Sequence, residues 1–140
     1  MGDAGYESFS QIKNGIPHNI EVLKVGHHGG PRVVNDDMLN HLNNSVSVIS
    51  TGINYFGHPN KGTLDVLRNT DIYRTDLLNA IKIKTDGNEY KAYSYTPSEK
   101  HFDLQKTYVI KYTYNLGKDP VKNYDELYYN IILANEKLFL

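Results

Sequence analysis

Apolar positions recur along this chain with two different periods. Tyr6, Phe9 and Ile12 fall three apart, as on one face of a helix, and Asn14-Gly15 supplies a stop. Residues 20–25 (Ile-Glu-Val-Leu-Lys-Val) alternate only in part and predict a largely buried strand. Pro31 opens a loop, and Asn35 predicts a helix cap with Asp36 and Asp37 in the favourable first turn. Met38, Leu39 and Leu42 give that helix its apolar face. His41 falls off the face and is expected to be solvated, and Asn43-Asn44 ends the helix. Residues 46–50 are rich in β-branched side chains and predict a second strand. A short helix over 63–69, resting on Leu64 and Leu67, and a third strand over 72–75 follow.

Asn79 precedes Ala80-Ile81, and Asn tolerates a left-handed turn there. Residues 81–85 and 89–95 flank Asp86-Gly87-Asn88, a strong hairpin signal. Thr96-Pro97-Ser98 breaks the second strand. Residues 107–114 read as another strand, and Asp119-Pro120 starts a helix carrying Tyr124, Leu127, Tyr128, Ile131 and Leu138 on one face. The division this suggests is residues 1–95 and an extension, 96–140, packing on them.

Composition narrows the function classes. The chain has 140 residues, enough for one modest core. It has no cysteine, which excludes disulfides and thiolate metal sites, so a metal here must use His and carboxylate. A net charge of −1 argues against a broad basic face for nucleic acid and leaves a local basic groove open. No apolar run is long enough to span a membrane. No signal-peptide pattern opens the chain, which favours the cytoplasm without fixing the location.

The chemistry-bearing residues fall where predicted strands end. The strand over 20–25 runs into Gly26-His27-His28-Gly29-Gly30, and the second strand runs into a loop holding Asn54, Tyr55, Gly57, His58 and Pro59. In open α/β sheets the carboxyl ends of strands are where sites form. Neutral imidazoles suit zinc or manganese. As turn and packing residues the same histidines need no ligand. His18 is expected at the surface. Asp3, ahead of the first helix, reads from its position as the helix N-cap. Arg74 and Asp76 read as a structural pair.

The ordered set Gly2-Asp3, Leu23-Lys24-Val25-Gly26-His27-His28-Gly29, Tyr55-Phe56-Gly57-His58-Pro59 and Arg74-Thr75-Asp76 resembles a metallo-β-lactamase-fold hydrolase. The closest likeness is to the second half of the ComEC-type domain of competence DNA-uptake proteins. It covers about residues 2–85. The resemblance implies an α/β fold, half of an αββα sandwich with a mixed sheet and flanking helices. It also implies a two-metal zinc site, with manganese as an alternative. Asp3 would bridge the ions and one of His27 and His28 would ligate the second. His27, nearest the strand end, is the favoured ligand, and the order of the two can be reversed. His58 would face the bound phosphate or leaving group as a catalytic proton donor. Gly30 stands where the family usually has Ser, and Asn79 where it commonly has Gly.

The family's His-x-His-x-Asp-His segment is absent: the histidines are 18, 27, 28, 41, 58 and 101. In the family a buried strand runs into Gly-Asp, whereas Met1 alone precedes Gly2. The resemblance therefore implies an incomplete metal set and a missing N-terminal half, in the same longer chain, a separate chain or a homodimer. Two functions follow. One is a fragment or subunit of a metal-dependent phosphodiesterase or nuclease-like hydrolase using metal-activated hydroxide, with a phosphodiester or DNA as substrate. The other is an inactive remnant or protein-interaction module.

Overall fold

A computed structural model describes residues 2–111. The strand expected at 107–114 falls partly outside them, and the helix expected from 119 wholly so. The chain divides into two compact units, Met1–Leu77 and Leu78–Leu140. The division expected at 95/96 lies inside a strand. The class is mixed α/β, with one parallel and one antiparallel sheet.

In the first unit, helix α1 (Tyr6–Ile12) precedes strand β1 (Val22–Lys24). Helix α2 (Asp36–Leu42) leads to β2 (Val46–Ile49), and α3 (Lys61–Leu67) leads to β3 (Asp71–Arg74). A one-turn helix, α4 (Thr75–Leu78), follows. The strands pair in the order β1-β2-β3, both pairs parallel, with Val22 opposite Val46 and Val46 opposite Asp71. Parallel neighbours need a crossover, which α2 and α3 supply. The central strand is buried at every position, as expected of a parallel strand covered on both faces.

Phe9, Leu23, Val25, Met38, Leu42, Ile49 and Leu67 belong to one buried apolar cluster. Ser47 is buried among them, and its hydroxyl is satisfied by the Asn44 amide at 3.0 Å and the Thr70 hydroxyl at 2.9 Å. The Asn35 side chain accepts from the Met38 amide at 2.9 Å, capping α2 as the sequence predicts.

His41 corrects an expectation. It is buried rather than solvated, edge-on to Phe9 at 5.4 Å, and its Nε2 is 2.9 Å from the Ile16 carbonyl. The loop from Ile16 supplies a polar partner on the side that helical periodicity alone assigns to water. Asp3 does not cap α1; Gly5 occupies that position, with no side-chain hydrogen bond.

In the second unit, β4 (Ile81–Thr85), β5 (Glu89–Thr96) and β6 (His101–Val109) form an antiparallel sheet in chain order. Gly87 takes a φ of 91°, and Asp86 Oδ1 accepts from the Asn88 and Glu89 amides, both at 2.9 Å. Burial alternates along β5, where Tyr90, Ala92 and Ser94 are buried and their neighbours half-buried. Strand β6 begins well before position 107. Residues 97–100 are a hairpin turn, with Lys100 at a φ of 54°. Tyr90 and Tyr108 are directly paired and stack at 4.7 Å. Among the described residues no helix is long and apolar enough to cross a membrane.

Candidate functional site

Strand β1 delivers Val25 into the core, and the chain then turns within a few residues. Gly26 is extended, and His27, His28 and Gly29 all take positive φ, 45°, 52° and 76°. The turn does not fall on the glycines alone. For an L-residue the left-handed conformation costs about 1–2 kcal/mol. Hydrogen bonds around the turn offset that cost. The His27 amide donates to the Gly2 carbonyl at 2.7 Å, and the Gly30 amide to the His27 carbonyl at 2.7 Å. The Gly29 carbonyl accepts from the Asn60 amide at 2.8 Å, and the Gly30 carbonyl from the Thr63 hydroxyl at 2.7 Å. The second loop is thus tied to the first.

Two glycines make that closeness feasible. A Cβ on Gly29 would sit 2.8 Å from the Pro59 Cβ. One on Gly30 would sit 3.1 Å from Cε1 and Nε2 of the His58 imidazole. The His58 ring occupies that space. It lies 5.2 Å from the His27 ring, nearly edge-on, and 6.0 Å from the Phe56 ring. Its Nδ1 is buried and makes no hydrogen bond among the described residues.

The His28 Nδ1–H donates to the Ser50 carbonyl, just past β2, at 2.7 Å. That bond selects the tautomer whose Nε2 carries the free lone pair. Asp3 is exposed, and its link to the histidines is through the backbone bond between Gly2 and His27. Arg74 and Asp76 pair with each other, Nε to Oδ1 at 3.1 Å and a terminal nitrogen to Oδ2 at 2.6 Å, as the sequence suggests. That hydrogen bond holds the Arg74 guanidinium above its ordinary pKa.

Of the four residues singled out from sequence, the structure brings the rings of His27 and His58 to 5.2 Å, while His28 turns to the Ser50 carbonyl and Asp3 stays exposed. Among the described residues, no three His, Asp or Glu side chains are gathered so that they could hold a metal ion. A catalytic zinc usually takes three protein ligands. Asp3, His27 and His28 therefore do not make a complete metal site by themselves.

Comparison with family models, with curated proteins and with solved structures gave no match.

Sequence reasoning missed what shapes the second loop. The Asn54 amide group donates to the Gly52 and His58 carbonyls at 2.9 and 2.7 Å, and Asn54 Oδ1 accepts from the Phe56 and His58 amides at 3.1 and 3.0 Å. Thr51 and Thr75 tie the ends of β2 and β3 together. The Thr51 amide donates to the Thr75 hydroxyl at 2.8 Å, and that hydroxyl donates to the Thr51 carbonyl at 2.6 Å. Asn54, three residues before Gly57-His58-Pro59, is a turn signal that could have indicated the first of these.

Proposed function

We propose that this chain is the second half of a metal-dependent hydrolase of the metallo-β-lactamase superfamily, ComEC-like and acting on phosphodiesters. The observation that carries the reading is the meeting of the His27–His28 and His58 loops at the carboxyl ends of adjacent parallel strands. His58 is the group for proton transfer to a leaving oxygen, since an imidazole changes charge near neutrality. His28 has its Nδ1 committed to a carbonyl and its Nε2 free, the usual arrangement of a ligating histidine. That supports His28 rather than His27 as the ligand. The described residues offer an incomplete donor set, so a first half would supply the rest. Such hydrolases take their reactive water from the bound cations.

The second reading, an interaction module without activity, draws on one observation. Ile53, Tyr55 and Phe56 are exposed by 100, 104 and 83% at the loop tip, an apolar surface that a partner protein could cover.

Zinc and manganese titration of the full chain by calorimetry separates the two. Because the donor set of this chain is incomplete, the hydrolase reading expects weak binding by the chain alone that His28→Ala removes. Weak binding left unchanged by His28→Ala, or no binding at all, overturns it in favour of the interaction module.

A further inference from the structure

We propose that Asn54 is the positioning residue for His58, clamping the main chain on both sides of the imidazole so that the ring stays against Gly30 and His27. This rests on the reading of His58 as the substrate-facing group.

The loop between β2 and α3 has little packing to hold it. Ile53, Tyr55 and Phe56 point into solvent. What fixes the loop is polar. The Asn54 amide nitrogen shares its hydrogens among the Gly52 carbonyl at 2.9 Å, the His58 carbonyl at 2.7 Å and the Thr51 hydroxyl at 3.3 Å. Its Oδ1 takes the amides of Phe56 and His58. The N–H and the C=O of His58 are therefore both bonded to one side chain. Ala has neither group, and a hydroxyl offers one donor hydrogen on the oxygen that must also accept, where the clamp uses two donor hydrogens and a separate acceptor oxygen. On the far side of the ring stands a glycine, so no Cβ opposes the imidazole. Groups placed for chemistry have to be held to a fraction of an ångström, and loops meet that demand only when a supporting side chain locks them.

The test uses the full chain with labelled histidine and glycine. In the unaltered protein, nuclear Overhauser contacts are expected between the His58 ring protons and the Gly30 α-protons, because the ring lies where a Gly30 Cβ would. Asn54→Ala is expected to lose those contacts while the amide spectrum of the core stays dispersed. The control Asn40→Ala, on the exposed side of α2, keeps them. Contacts that persist in a folded Asn54→Ala chain overturn the proposal, as does their equal loss in Asn40→Ala. Should Asn54→Ala unfold, Asn54→Asp decides. It keeps the acceptor and loses the donors, so weakened contacts in a folded chain support the clamp and unchanged contacts overturn it. Metal binding is read separately. Its absence counts against the hydrolase reading alone, and a persisting ring contact counts against the clamp alone.

Discussion

The two units each contain a three-stranded sheet, yet they use it differently. In the first, all strands run one way, so their carboxyl ends collect on one edge and loops far apart in sequence meet there. His27 after β1 and His58 after β2 come within ring contact for that reason. In the second, the chain meanders, and successive turns fall on opposite edges. Its chemistry-bearing side chains pair off locally. Lys91 pairs with Glu89, Lys82 lies over the Tyr93 and Phe102 rings, and His101 lies 2.6 Å from Asp103. A hollow of about 190 Å³ beside the first hairpin is lined by charges of both signs, Lys84 and Lys91 with Asp86 and Glu89, without an orphaned polar group among them. Strand direction, more than composition, decides which sheet can gather a site.

The comparison breaks first on stability. Met38 is fully buried under the parallel sheet, and Leu104, on the antiparallel one, is 53% exposed. Met38→Ala should cost about 2–5 kcal/mol by urea unfolding, against roughly 0.5 kcal/mol or less for Leu104→Ala. Equal costs would remove the difference in burial between these two positions. Gly29→Ala comes next. Its Cβ would meet Pro59 at 2.8 Å, at a φ of 76°. The expected loss is about 1–3 kcal/mol, together with altered His58 ring signals in the proton spectrum. A neutral result would mean that the two loops are not held together as described. Asn35→Ala, which uncaps α2, should cost about 1 kcal/mol on the same assay.

The smallest effect belongs to the antiparallel unit and depends on pH. The hydrogen bond to Asp103 lifts His101 above its ordinary value of 6.5. The Thr96 hydroxyl first, and His101 second, hold Asp103 below its ordinary value of 3.8. The stabilisation from His101 is full below 6.5 and is lost as pH rises through the lifted value. That from Asp103 is full above 3.8 and is lost as pH falls through the lowered value. Both act together between those limits. Asp103→Asn should return the His101 titration, followed by its ring protons, towards the ordinary value. An unchanged midpoint would show that the pair does not form.

Much of this fold was legible in the sequence. The helix over Tyr6–Ile12, with Phe9 buried although Ile12 is exposed, the Asn35 cap and the Asp86-Gly87-Asn88 turn are local signals that tertiary packing left in place. His41 was not legible, because its burial depends on a carbonyl from a loop distant in sequence. Strand β6 was placed too late because its first residues are mostly polar and its register is set by pairing with β5. At the candidate site, the strand-end histidines could be found from pattern alone. The pairing of His28 with Ser50 could not, since it depends on where a neighbouring loop returns, whereas the Asn54 clamp is made within residues 51–58 and was a local signal left unread.

Paramagnetic broadening of the full chain by manganese, read across its amide spectrum, tests the central claim most directly. An edge where parallel strands gather the site predicts broadening centred on Gly26–Gly30 and His58, and weaker at the opposite strand ends, Glu21, Ser45 and Asp71. Broadening centred on Glu99, His101 and Asp103 instead, or none at all, would contradict it.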